Sequence, residues 1–280
     1  MQGKIVKLIS NDYTVKNEKG KFVCKARGKF RNMNLTPLVG DEVIFDEKTK
    51  YILDILPRKN ELNRPLISNV DIAFIITSLK KPDFSSNLLD KFLVICEYNK
   101  VKPVIVFTKY DLLSPLEKEN IKPVIDYYKK IGYPVYMNDD LSIKNIFKNK
   151  VCVFTGQSGA GKSTLLNKLD STLNLKTGEI SLALNRGKHT TRHTELLEVC
   201  DGLVADTPGF SALEFTGMTK ADIRDNFIEF NIYRHECQFR DCMHIHEKKC
   251  MIKEKVKDKT IMQSRYDNYI NFLNRGDQIG

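Results

Sequence analysis

The chain has 280 residues, enough for two or three domains that each bury a core of their own. An apolar fraction of 41% beside 29% charged residues is the balance of a water-soluble globular protein. No apolar run approaches the ~18 residues of a membrane span, and Met1-Gln2-Gly3-Lys4-Ile5-Val6 lacks the apolar stretch of a secretory signal. A cytoplasmic protein with no membrane partner is expected. The net charge of +10 is uneven: residues 1–60 carry 13 Lys/Arg against 7 Asp/Glu, whereas residues 213–280 are nearly balanced. A basic N-terminal module suits a polyanionic partner, most simply nucleic acid, although a general lysine-rich bias gives the same excess.

Residues 3–9, 13–16, 21–26, 42–45 and 51–56 are β-rich, with turn formers such as Asn11-Asp12 and Lys19-Gly20 between them. Five strands in under sixty residues suit a small closed barrel, for which the OB-fold is the common solution. Leu56-Pro57-Arg58-Lys59-Asn60 has the composition of a linker. From Val70 onward strands and helices alternate. Strands are expected at 71–77, 103–107, 133–137, 151–155, 196–199 and 203–205, and helices at 87–99, 115–130 and 162–169. Such alternation predicts a mostly parallel sheet with helices on both faces. After Phe210 the chain turns polar and helical, with helices expected at 220–230 and 260–273.

Gly156-Gln157-Ser158-Gly159-Ala160-Gly161-Lys162-Ser163 follows an apolar strand and opens a helix, the context a Walker A phosphate loop requires, and Thr164 closes the segment. Its glycines let backbone N–H groups turn toward a β-phosphate, Lys162 adds a point charge, and Ser163 can ligate Mg²⁺. Asp206-Thr207-Pro208-Gly209 follows the strand at 203–205, 43 residues beyond Ser163. There Asp206 can hold Mg²⁺ through water and the Gly209 N–H can face a γ-phosphate. Phe210 occupies the position from which Ras-like enzymes orient water with a Gln, so intrinsic turnover is expected to be slow.

Guanine is distinguished from adenine by a carboxylate that accepts from its N1–H and exocyclic amine. Two Thr-Lys-x-Asp segments qualify. Thr219-Lys220-Ala221-Asp222 lies only ten residues past Gly209, too near for an intervening helix and strand, and reads better as a helix start with Thr219 as N-cap. Thr108-Lys109-Tyr110-Asp111 follows an apolar strand, as a base-binding loop should, but precedes the phosphate loop. The motif order is therefore rotated. A parallel sheet permits this, because its strands stay in place when one connection is cut and another joined.

Seven cysteines divide into Cys24, Cys96, Cys152 and Cys200, each among apolar neighbours, and Cys237, Cys242 and Cys250, crowded into fourteen residues with His244 and His246 among them and His235 just before. The crowding points to a reducing compartment and a metal site. Cys237-x4-Cys242-x-His244-x5-Cys250 offers three thiolates and an imidazole, a set suited to tetrahedral Zn²⁺ with no position left for water, hence structural. Spacing alone leaves His246 nearly as plausible as His244.

With this rotated order the chain resembles the circularly permuted ribosome-assembly GTPases of the RsgA/YjeQ family over essentially its whole length. The resemblance implies a multi-domain α/β fold with three parts: an OB-like RNA-binding barrel at 1–60, a circularly permuted P-loop GTPase domain at 61–212, and a small helical zinc-binding domain at 213–280. It implies binding of GTP and GDP, GTP hydrolysis with Mg²⁺, and one structural zinc held by Cys237, Cys242, His244 and Cys250. It also implies action in late assembly of the small (30S) ribosomal subunit through its 16S rRNA, with turnover stimulated by the subunit. Thr108 stands where the family pattern more usually has Asn, keeping a hydroxyl for local bonding. The segment Gly187-Lys188-His189-Thr190-Thr191-Arg192-His193 resembles the family's switch. Thr190 or Thr191 is then a candidate Mg²⁺ ligand and His189 or His193 the candidate catalytic group. A base-stacking loop is expected near residues 136–140, and a monomer is expected. Two other readings compete: a P-loop ATPase or nucleotide kinase, and an RNA-binding protein with a relic nucleotide site.

Overall fold

The computed structural model describes residues 1–28, 30, 33, 35–63, 66–173, 194–206 and 214–275. The chain opens with β1 (Gln2–Ile9), β2 (Asp12–Asn17), β3 (Gly20–Ala26), β4 (Glu42–Asp46) and β5 (Tyr51–Ile55). Their order is β1-β2-β3-β5-β4, and β4 returns to pair with β1, closing a five-stranded barrel. Ile5, Tyr13, Val15, Cys24, Val43, Phe45 and Ile52 point inward and are buried, the period-two pattern of half-buried strands.

The segment with linker composition is not a free tether. Arg58 donates from Nε and Nη2 to the two carboxylate oxygens of Asp41, each at 2.7 Å, from Nη1 to Glu61 at 2.6 Å, and from Nη2 to the Thr36 carbonyl. Asp41 is fully buried, so this bidentate pair anchors the barrel to the segment that leaves it. A small hairpin comes next, β6 (Glu61–Asn63) and β7 (Leu66–Ser68).

β8 (Ile72–Ser78), α1 (Ser86–Tyr98), β9 (Lys102–Thr108), α2 (Pro115–Lys130), β10 (Val135–Met137), β11 (Val151–Thr155), α3 (Lys162–Leu169), β12 (Thr194–Val199) and β13 (Gly202–Asp206) build the central sheet. Its order is β10-β9-β8-β11-β13-β12, parallel except for β12, which runs antiparallel to β13. Alternate strand residues fill two separate cores. Ala73, Ile75, Ile105, Phe107 and Val153 pack with Leu89, Phe92 and Tyr128, whereas Phe74, Ile76, Val106, Cys152 and Phe154 pack with Leu165, Leu166 and Phe147. Both faces are thus covered, as the near-continuous apolar strands require. The outer strand β12 pairs with β1 of the barrel, Lys7 opposite Glu195 and Leu8 opposite Thr194, so one eleven-stranded sheet runs through both units.

Among the described residues, the C-terminal α-helices are α4 (Lys220–Asp225), α5 (Ile228–Tyr233), α6 (Met251–Lys257) and α7 (Gln263–Arg275). A single helix over 220–230 was expected, and the structure breaks it. Asn226 ends α4 with its side chain on the Asp222 carbonyl, and Phe227 is extended, which lets Phe227 and Phe230 both enter the core. That core of Phe215, Ile223, Phe227, Phe230, Tyr269 and Phe272 also takes in Val94 and Ile95 of α1.

A buried ion cluster ties α7 to the central sheet's helices. Arg265, fully buried, donates Nη1 to Asp90 at 2.8 Å and grips both Glu229 oxygens at 2.7 and 2.8 Å. Asp90 also accepts from the Tyr128 hydroxyl and from Asn268, each at 2.6 Å. Burial pushes the Asp90 carboxyl up, against the pull of Arg265 and these donors. Removing one member of such a cluster strands a buried charge, which costs about 3–5 kcal/mol. Arg265→Met is therefore expected to lower the urea midpoint of the transition that exposes α4–α7, followed by hydrogen exchange of those helices. Wild-type protection in the variant would remove the cluster as the joint.

Candidate nucleotide site and metal cluster

β11 runs through the centre of the sheet and ends at Thr155, where the chain must turn sharply to begin α3. Gly156 makes the turn at φ +136, and a Cβ there would lie 2.1 Å from the Ile76 carbonyl oxygen, so only glycine fits against β8. Lys162 curls over the loop and donates to the carbonyls of Gly156 and Gln157, each at 2.8 Å. Burial pushes its ammonium down. α3 has no side-chain cap at Gly161, so its first N–H groups are not taken by a capping side chain and suit an anion. Ser163 is buried in the first helical turn, Ala160 is buried, and Ser158, Gly159 and Thr164 are exposed.

The base-loop candidate lies against this phosphate loop. Thr108, buried at the end of β9, donates Oγ1 to the Ala160 carbonyl at 2.6 Å. Lys109, at φ +61, donates Nζ to the Gly159 carbonyl at 2.8 Å and to the Lys81 carbonyl. Asp111 follows in a 3-10 turn over Tyr110–Leu112 with its side chain exposed. The hydroxyl of Thr108 thus bonds the phosphate loop directly. Beside it, the loop after β10 is seated by Asn138 N–H on the Phe107 carbonyl and by Asp140, which accepts from Ser142 N–H. Thr219-Lys220-Ala221-Asp222 is a helix start, as expected. Thr219 Oγ1 accepts from Asp222 N–H, and Asp222 accepts from Thr219 N–H.

β13 lies parallel to β11, with Leu203 opposite Val151, so its last residue, Asp206, falls at the same sheet edge as the phosphate loop. His189, Thr190, Thr191, His193 and Gly209, and the side chain of Asp206, lie outside the described residues.

Cys237, Cys242, His244 and Cys250 converge so that their ligand atoms all lie within 4.8 Å of one another. His244 Nδ1 sits 3.3 Å from Cys250 Sγ and 3.7 Å from Cys237 Sγ, while its Nε2 is buried without a hydrogen-bond partner. His235 and His246 are exposed and stand outside the group. His244 takes φ +60, and the carbonyls of Met243 and His244 accept from the Tyr269 and Tyr266 hydroxyls at 2.5 and 2.6 Å. Glu247 accepts from Met243 and Ile245 N–H. Burial, together with the Cys250 and Cys237 thiols, pushes Cys242 up to about 12. Burial pulls His244 down to about 4 and keeps it neutral. Three thiols and a neutral imidazole brought this close together are the donor set of a soft divalent metal, so the cluster fits one. Sequence reasoning missed α6, which starts directly at Cys250 and has only Ile252 and Val256 as buried apolar signals.

Comparisons with known proteins agree with this geometry. The family model described as RsgA GTPase matches residues 55–216, and that of the RsgA N-terminal domain matches residues 2–51. The small ribosomal subunit biogenesis GTPase RsgA 2 of Oceanobacillus iheyensis is 50% identical over 97% of this chain and 96% of its own length. The corresponding protein of Enterococcus faecalis is 46% identical over 98% and 94%. The crystal structure of YloQ, a circularly permuted GTPase, superposes with a TM-score of 0.83 at 39% identity, covering 98% of this chain and 94% of that one. YjeQ from Thermotoga maritima gives 0.84 at 33% identity, covering 98% and 97%. By its rotated nucleotide motifs, its closed barrel and its Cys3His cluster, and by these matches along its length, the chain belongs to the RsgA GTPase family.

Proposed function

We propose that this chain binds GTP, hydrolyses it to GDP and phosphate, and acts in late assembly of the small ribosomal subunit; the names of its relatives carry small ribosomal subunit biogenesis. The observation that supports this best is the direct bonding of Thr108 and Lys109 to the phosphate loop, which joins the two nucleotide motifs although they occur in rotated order. Asp111 accepts from the guanine edge. Thr108 and Lys109 set the loop, and Gly156 to Thr164 wrap the phosphates with Lys162 as their counter-charge. Asp206 and Gly209 close the γ-phosphate side. Ser163, with Thr190 or Thr191, holds Mg²⁺, which supplies charge neutralisation to the phosphates. Because Phe210 can neither align water nor take a proton, His189 or His193 supplies that function from the switch segment in the subunit-stimulated reaction.

The division runs 1–60, 61–212 and 213–280. The basic barrel contacts 16S rRNA, and Cys237, Cys242, His244 and Cys250 hold one structural Zn²⁺ that fixes the loop between short helices. The protein works as a cytoplasmic monomer. GTP hydrolysis with and without small subunits tests the whole reading. Slow turnover alone and clear stimulation by subunits are expected, and no hydrolysis in either case would overturn it.

Asp111→Asn offers a donor where guanine also donates and where xanthine has a carbonyl. GDP affinity is expected to fall at least about a hundredfold and xanthosine diphosphate to bind better than GDP, measured by equilibrium titration. His189→Ala or His193→Ala is expected to cut subunit-stimulated turnover without changing GDP affinity. Full turnover in both would remove these histidines from catalysis. Chelation with phenanthroline is expected to speed proteolysis within residues 214–275 while nucleotide binding persists, and unchanged resistance would refute the structural metal.

A further inference from the structure

The stretch after β8, residues 79–85, touches both halves of the nucleotide site. Leu79 N–H donates to the Thr108 carbonyl at 3.1 Å, the Lys81 carbonyl receives Lys109 Nζ, and Pro82 Cδ lies 3.9 Å from where a side chain on Gly159 would begin. Ser78, buried, fixes the stretch by donating Oγ to the Lys80 carbonyl at 2.9 Å. From this braced position Lys80 Nζ reaches across to Glu117, 2.9 Å from Oε1 and 2.8 Å from Oε2.

Glu117 is the third residue of a capping box. Its Oε2 accepts from Ser114 N–H at 2.7 Å while Ser114 Oγ accepts from Glu117 N–H. That box is the downstream end of the loop carrying Asp111, and Thr108 with Lys109 is the upstream end. The loop is therefore pinned at both sides: to the phosphate loop before Asp111, and through Glu117 to Lys80 after it. The main cause holding the Glu117 carboxyl down at about 2 is its bond with Lys80, ahead of the Ser114 donors. With side chains 32% and 43% exposed, the pair adds little to overall stability, so its consequence falls on the position of the loop it closes.

We propose that Lys80 is a positioning residue for base selection: its grip on Glu117 sets where the Asp111 carboxylate stands relative to the phosphate loop, and with it the preference for guanine over adenine nucleotides. The inference rests on Asp111 reading the base. It is separable from that reading because Lys80 bonds Glu117, outside the proposed nucleotide contacts.

Equilibrium titration of fluorescent GDP and ADP analogues on the full chain tests it, with Lys80→Met, Lys80→Arg, Glu117→Gln and Asp111→Asn compared with wild type. Glu117→Gln is informative because Gln at that position preserves a capping box and loses only the ion pair. Lys80→Met and Glu117→Gln are each expected to weaken GDP about tenfold with little change for ADP, and the double variant to be no worse than either alone. Lys80→Arg is expected to restore GDP binding, and kcat at saturating GTP with small subunits to stay within about twofold of wild type. Equal losses for GDP and ADP, or additive losses in the double variant, would overturn the positioning role. Wild-type GDP affinity in Lys80→Met beside a collapsed Asp111→Asn would sink the Lys80 inference and leave the base reading standing. Unchanged affinity in Asp111→Asn would sink the base reading itself.

Discussion

Two hydrogen bonds, from Thr108 Oγ1 to the Ala160 carbonyl and from Lys109 Nζ to the Gly159 carbonyl, hold together loops about fifty residues apart in the chain. The proposed site depends on them, because a base reader and a phosphate cradle select one nucleotide only when their separation is fixed. The strands that carry these loops, β9 and β11, are not neighbours; β8 lies between them. The link must therefore cross the end of β8, and the chain there is shaped to allow it. Gly156 lacks the Cβ that would strike Ile76, and residues 79–82 turn aside to lie against both loops. A parallel sheet gathers all its carboxyl ends at one edge, which is why such crossings are short.

The parts added to this sheet cover surfaces it would otherwise leave open. β12 is its outer strand, and an exposed outer strand invites unwanted pairing. Here β1 of the barrel pairs with it, and the Lys7–Glu195 ion pair reinforces the register. On the opposite side of the chain order, the C-terminal helices take in Val94 and Ile95 of α1, which would otherwise face water. The apolar burial at the second seam is joined by a fixed polar contact, Arg265 on Asp90 and Glu229, and Arg58 on Asp41 does the same where the chain leaves the barrel. Ridged apolar contact alone tolerates sliding; a bidentate guanidinium does not.

Legibility in the sequence depends on the range of the interaction that decides each element. Helix α2 was legible to the residue, because Ser114-Pro115-x-Glu117 and Gly132 signal its ends locally. β11 and α3 were equally plain, since a glycine loop between an apolar strand and a helix has one arrangement. The break at Asn226 was not legible. Phe227 and Phe230 have helical spacing, and only the core they share with Tyr269 and Phe272 shows why the chain departs from it. Arg58 reads as linker beside Pro57 and Lys59 because its partner Asp41 lies in a distant part of the barrel. Arg265, Asp90 and Glu229 carry no local signal for the same reason, lying in three separate helices. Lys80 had no signal at all, since its partner is 37 residues away. In the Cys3His cluster, spacing narrowed the cysteines but left the histidine open, and burial decides for His244.

α7 joins these long-range features into one body. Arg265 and Asn268 reach Asp90 on α1, while Tyr266 and Tyr269, interleaved on the same helix, hold the carbonyls of His244 and Met243. The helices around the cluster, α4, α5 and α6, have six or seven residues each, too short to hold a loop in place by themselves. The ligand loop takes its position from its own donor set, from Arg224 of α4 and Lys253 of α6 on its carbonyls, and from α7, which is itself held on α1. α1 begins immediately after residues 79–85, the stretch that braces the base loop. The metal-ligand candidates and the phosphate loop are thus linked through α7, α1 and the stretch that precedes α1, so the C-terminal helices share a support with the nucleotide site.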